Sequence, residues 1–119
     1  LNKDTFFELT GKDNLDDGFT EIQKHFKGIP LVTLGSKGST TIYKDKRISV
    51  PVYDVKVVDT TGAGDSYIGT FMTAHLIKGM GVEDSMKVAS IAAALTCTKI
   101  GARSSPTFEE VETIAKEWV

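Results

Sequence analysis

The stretch Asp59-Thr60-Thr61-Gly62-Ala63-Gly64-Asp65 limits what this chain can fold into more than any other, because it joins an apolar run to a long helical pattern through glycines and ends in a carboxylate. Val55, Val57 and Val58 read as a central strand, and Ile68, Phe71, Met72, His75 and Leu76 recur at the spacing of one helix face. Glycine lets the backbone approach a ligand closely, and the first amides of a helix have no internal partner, so the turn offers N–H donors and a positive dipole end to an anion. A phosphate is the natural guest. Asp65 falls in the first helical turn, where the dipole favours the ionised form. A proton acceptor beside a phosphate cradle suits phosphoryl transfer to a hydroxyl, where the protein positions groups and one carboxylate deprotonates the attacking alcohol. The plainer alternative is a tight strand-to-helix turn followed by a charged first-turn residue.

Around this turn, strands alternate with helices. Residues 1–11 read as a strand end and a short helix capped by Asn2 and closed by Gly11. Asp16 to Lys27 forms an amphipathic helix with Phe19, Ile22 and Phe26 on one side, ending at Gly28. Leu31 to Leu34 is a buried-strand pattern broken at Gly35-Ser36-Lys37-Gly38, and Thr40 to Tyr43 returns as a second strand. Lys44 to Arg47 marks a turn, and Ile48 to Val52 a short strand held near an edge by Pro51. Val82 to Thr98 is helical, with Ala89, Ala92, Ala93 and Ala94 making a small-residue surface suited to close helix packing or a flat ring. Thr107 and Glu110 stand at capping-box spacing before a helix whose Val111, Ile114, Ala115 and Trp118 share a face. The expectation is an α/β unit with a largely parallel sheet and a small antiparallel excursion near residues 31–52.

Composition narrows the function classes. With 119 residues, 40% hydrophobic and 25% charged, the chain is one globular unit with a modest core. Its net charge is −2 and its lysines are scattered among acids, which argues against a nucleic-acid surface. No apolar run is long enough to span a membrane, and the chain begins at Leu1, so a cytoplasmic fragment is expected. Cys97 sits in an apolar helical run and reads as a buried small hydrophobe. His25 and His75 lack partners at zinc-ligand spacing.

Asp59-Thr60-Thr61-Gly62-Ala63-Gly64-Asp65-Ser66 resembles the signature of the ribokinase-like (PfkB-type) carbohydrate kinases, and three further stretches fall in that family's order. The similarity runs through essentially the whole chain but corresponds to the C-terminal part of such a kinase. It implies one half of a three-layer ribokinase-like fold, with the substrate and lid portion outside these residues. It also implies ATP-dependent phosphorylation of a sugar or sugar-like hydroxyl, with Asp65 as base, the Gly62, Ala63 and Gly64 amides as anion hole, and magnesium neutralising the phosphates.

The resemblance carries further residues. The block Thr33, Leu34, Gly35, Ser36, Lys37 and Gly38 is similar to the family's nucleotide stretch, and Ser90 matches a nucleotide-contact position. Asn2 matches an Asn linked to the phosphates and magnesium, but the Glu that follows it three residues later in the family is Thr5 here. Asp59 and Thr61, with Thr96, Lys99, Gly101 and Ser105, are counterparts of a potassium-type site beneath the turn. The partners implied are ATP and a small sugar-like substrate, and a homodimer of the full-length protein is compatible, since family dimers form through the lid.

Other readings remain. A non-catalytic nucleotide-binding or regulatory module is favoured by Thr5 and opposed by Asp65. A dinucleotide-binding dehydrogenase would need G-x-G-x-x-G and a later acid, and a P-loop enzyme would need G-x-x-x-x-G-K-[ST]; the chain has neither pattern.

Overall fold

The computed structural model describes residues 1–98 and 106–118, in two compact units, Leu1–Ser49 and Val50–Val119. In the first, helix α1 (Lys3–Thr10) starts at Asn2, whose side chain accepts the Thr5 amide at 2.9 Å, and ends at Gly11 in the left-handed region at φ 67°. Both caps were legible in the sequence. Helix α2 (Leu15–Gln23) is capped by Asn14 and stops four residues short of the expected Lys27. The helical pattern gives way to a turn in which His25 and Phe26 both donate to the Ile22 carbonyl, and the Phe26 ring folds over Gly28.

Strands β1 (Val32–Thr33), β2 (Ser39–Tyr43) and β3 (Lys46–Val50) form a sheet in that order. β1 and β2 are antiparallel, with Val32 opposite Thr40 and Thr33 opposite Ser39. β2 turns into β3 through Lys44 and Asp45, at φ 51° and 62°, as a two-residue hairpin with the strand twist requires. The expected third strand, Ile48–Val52, begins and ends two residues earlier, before Pro51, which has no N–H to give a ladder. The one parallel pairing among the described residues is the Asn2–Thr33 bridge, fastened by the Thr33 amide to the Leu1 carbonyl at 2.7 Å. Phe6, Phe19 and Val32, each at most 2% exposed, make this unit's core. Arg47, expected in a turn, instead lies in β3 with its guanidinium 4.9 Å above the Phe19 ring, bonded to Asp16 at 2.7 Å and to Thr40 Oγ1 at 2.7 Å.

In the second unit, α3 (Ala63–Met72) continues through a π-helical segment, Thr73–Ile77, to α4 (Val82–Thr96), and α5 (Phe108–Ala115) follows. α4 is buried on nearly every side, its alanines packed as a helix-contact surface. α5 has the expected capping box, and Val111, Ile114, Ala115 and Trp118 pack against Ala74, Val88, Ile91 and Ala92. Trp118 meets Tyr53 edge to face at 5.3 Å.

Two further expectations are corrected. Val55 to Val58 carries no strand pairing: the Val58 and Asp59 amides donate to a helix-end carbonyl rather than to a neighbouring strand. The buried face of α3 is Tyr67, Phe71 and Ala74, while Ile68, Met72 and Leu76 are 50–67% exposed. The helix is apolar on two sides, and α4 covers only one. None of the described helices is long and apolar enough to cross a membrane.

Gly18 lies inside α2, and an added Cβ would come 2.5 Å from the Phe6 ring, which is fully buried. Overpacking costs about 1–3 kcal/mol against about 1 kcal/mol gained in helix propensity, so Gly18→Ala should lower stability by up to about 2 kcal/mol. A raised denaturation midpoint would show that Phe6 can move aside. Burial first, and the Asp59 charge second, push the Cys97 thiol above its ordinary value. The folded protein therefore keeps this proton longer than the unfolded chain does, and stability should decline as pH rises past the ordinary thiol range near about 8.5. Denaturant titrations across that range should show a shallower alkaline decline for Cys97→Ser; an unchanged slope assigns the decline to other groups.

Candidate functional site

The glycine turn is held from inside by Asp59. Its Oδ1 accepts the Thr61 amide at 2.9 Å and the Thr61 hydroxyl at 2.7 Å, an Asx-type turn that reverses the chain before the helix. Gly62, at φ 81° and ψ −1°, takes the left-handed step that a side chain would strain. The Ala63 amide donates to the Thr60 carbonyl at 3.2 Å, and the Ser66 amide to Gly62 at 2.9 Å. Among the described residues no acceptor takes the amides of Gly62, Gly64 or Asp65. Of the three amides read as an anion hole, Ala63's is thus already engaged, and Asp65's own amide joins the two that are available.

Asp65 stands in the first turn of α3, exposed, with no hydrogen bond or ion pair to any described residue. A Cβ at Gly64 would meet nothing within 4 Å. The turn therefore presents amides and a carboxylate that no described residue claims, together with the positive end of a helix. That combination can bind an anion and accept a proton beside it.

Behind the turn, the last carbonyl of the α4 helix end, that of Cys97, accepts the Val58 amide at 2.7 Å and the Asp59 amide at 3.0 Å. Thr96 is fully buried, its hydroxyl 2.9 Å from the Ala92 carbonyl and 3.0 Å from Ser66 Oγ. Asp59, Thr61 and Thr96 are thereby drawn to one side of the turn, together with Cys97 and Ser66, neither of which the sequence assigns to the site. Ser66 was signalled only by its place next to Asp65. Cys97 acts through its backbone, about which residue type is silent. Lys99, Gly101 and Ser105 lie outside the described residues. Ser90 is nearly buried on α4, its hydroxyl donating to the Pro51 carbonyl at 3.3 Å, so it straps the extended segment after β3 to the helix.

In the first unit, Thr33 closes β1 with its hydroxyl 3.2 Å from the Leu1 carbonyl. Gly35, Ser36 and Lys37 form one turn of 3-10 helix between Leu34, whose amide donates to the Gly38 carbonyl at 2.7 Å, and Gly38 at φ 94°. Ser36 and Lys37 are exposed, and Lys37 makes no ion pair with a described residue. Asn2 spends its side-chain oxygen on capping α1. No three His, Cys, Asp or Glu side chains converge among the described residues.

The chain matches the pfkB family carbohydrate kinase over residues 1–108. It is 41% identical over 81 residues to a deoxyribokinase of Salmonella typhi, which covers 67% of this chain and 26% of that protein. It is 38% identical over 111 residues to fructokinase-1 of Oryza sativa, covering 87% of this chain and 34% of that one. Among solved structures, a ribokinase from Thermotoga maritima superposes with a TM-score of 0.86 at 31% identity, covering 97% of this chain and 40% of that one. An Arabidopsis thaliana ribokinase complexed with ribose and ATP gives 0.84 at 29% identity, over 97% and 39%. The chain thus spans between about a quarter and a third of the length of these curated relatives. It shares the α/β ribokinase-like fold, and it belongs to the pfkB family of carbohydrate kinases.

Proposed function

We propose that these residues form the nucleotide-binding and catalytic portion of a larger kinase that transfers a phosphoryl group from ATP to a hydroxyl of a sugar or sugar-like small molecule. The observation that carries this reading is the exposed Asp65 carboxylate beside the Gly64 and Asp65 amides at the start of α3, none of which has a partner among the described residues. In this role Asp65 orients the acceptor hydroxyl and takes its proton as the oxygen attacks the γ-phosphorus. The amides and helix dipole meet the charge on the transferring group. The turn is rigid because Asp59, Gly62 and the Cys97 carbonyl hold it, so little reorganisation is needed at the moment of transfer.

The relatives include sugar kinases of three kinds, and one neighbour is a complex with ribose and ATP, which supports this substrate class. Asn2, Ser90 and the turn from Thr33 to Gly38 are assigned to the nucleotide, with exposed Lys37 free to meet a phosphate. Magnesium, in this reading, comes with the nucleotide and neutralises its phosphates. A potassium-type ion beneath the turn would draw on Asp59, Thr61 and Thr96 with Lys99, Gly101 and Ser105. The apolar stripe Ile68, Met72 and Leu76, exposed on α3 and its continuation, supports a partner surface supplied by the rest of a larger protein.

In the full-length enzyme, Asp65→Asn should leave ATP affinity nearly intact and cut kcat by about 10²–10⁴-fold, the usual contribution of a general base. Unchanged turnover would remove Asp65 from the chemistry. Gly64→Ala separates fold from function: nothing crowds a Cβ there, so the helix should gain about 0.5–1 kcal/mol while phosphate approach is blocked and turnover falls. Full activity in a stabilised Gly64→Ala enzyme would show that no phosphate comes close to this backbone. The isolated 119-residue chain should bind ATP weakly and turn over no sugar, as a coupled ADP-release assay over a sugar panel would record.

A further inference from the structure

A cleft of about 340 Å³ lies in the first unit, lined by Gln23, Phe26, Lys27, Pro30, Tyr43 and Lys44 among others. It sits where the chain enters β1 and where β2 turns into β3, the opposite end of the β1–β2 pair from the Gly35–Lys37 turn. Its volume falls at the lower end of the range for small-molecule sites, about 300–1,000 Å³. Its walls combine two unlike chemistries. Phe26, 47% exposed, holds its ring against the Gly28 backbone, and Ile29, Pro30 and Ile42 continue an apolar floor. Lys27 and Lys44 stand at the rim, and neither makes an ion pair with a described residue, whereas nearby Lys24 is engaged by Glu21 at 3.2 Å.

We propose that this cleft binds a small organic anion with a flat apolar face, an aromatic phosphate or carboxylate, with its ring on Phe26 and Pro30 and its charge between Lys27 and Lys44. An aromatic ring left half-exposed beside two ammonium groups that have no ion pair with a described residue, one of them, that of Lys44, 5.3 Å from the Tyr43 ring centre, gives such a ligand both dispersion contact and charge-assisted hydrogen bonds, which neither inorganic phosphate nor a neutral arene obtains together. Nothing in the phosphoryl-transfer reading uses these residues, so the site stands or falls independently of it.

The test is an amide-resolved NMR titration of the protein with phenyl phosphate, benzoate and inorganic phosphate. Phenyl phosphate should shift the amides of Lys27, Gly28 and Lys44 saturably, with benzoate acting on the same amides and inorganic phosphate far more weakly. Lys27→Gln with Lys44→Gln should weaken phenyl phosphate binding by about tenfold, the loss of two charge-assisted contacts. Both positions are exposed, and Gln at the left-handed position 44 is no more strained than Lys, so the fold should survive; matching spectra away from the cleft check that. Phe26→Ala should weaken phenyl phosphate but leave any inorganic phosphate response unchanged. Shifts confined to Gly35–Gly38 or to residues 62–65, equal affinity for inorganic and phenyl phosphate, or affinity indifferent to both lysines would each overturn the proposal.

Discussion

The Cys97 carbonyl is the joint on which the candidate site depends. A helix leaves its last carbonyls without internal partners, and here the one at the end of α4 is satisfied by two amides, those of Val58 and Asp59. That pair of bonds delivers the chain to the turn at a set angle. Asp59 then spends its carboxylate on Thr61, Gly62 makes the left-handed step, and α3 begins with the Gly64 and Asp65 amides unclaimed by any described residue. Loss of any one of these would let the turn relax, and the Gly64 and Asp65 amides would be free to find protein or water instead.

Such a turn is stable because α4 is itself immobilised. Its residues Val88, Ile91 and Ala92 are almost wholly buried, with Ala74 from the π-helical segment after α3 and Val111 from α5 packed against them. Small residues permit the close approach, and Thr96 adds a buried hydroxyl contact to Ser66 one residue beyond Asp65. Packing and polar satisfaction therefore act together: the apolar helix pair fixes position, and hydrogen bonds at its end fix the orientation of the site. The first unit is organised differently. A three-residue core of Phe6, Phe19 and Val32 is sealed by Arg47, which covers an aromatic face while its nitrogens reach Asp16 and Thr40.

Much of this was legible in residue order. Asn2, Gly11, Thr107 and Glu110 announce helix ends because capping is a local interaction between neighbours in the chain. The glycine turn, Asp65 in the first helical turn and the capped final helix were read in place for the same reason. Arg47 reads in sequence as part of a turn, since its place in β3 depends on Phe19 and Asp16, far away in sequence. Ser90 was assigned by resemblance to the nucleotide, yet its hydroxyl also straps Pro51, a contact that no spacing rule announces.

What the sequence by itself determined, then, is the set of local devices: caps, the αL glycines, the turn, and a carboxylate placed in a helix's first turn. Tertiary structure decided which of two apolar faces of α3 is buried, that the Val58 and Asp59 amides bond to a helix end instead of a strand ladder, and which amides of the turn no described residue claims. The physical reason is range. A cap or a glycine turn is settled by interactions within a few residues, whereas a burial face or a strand pairing exists only when a partner from elsewhere in the chain arrives to share it.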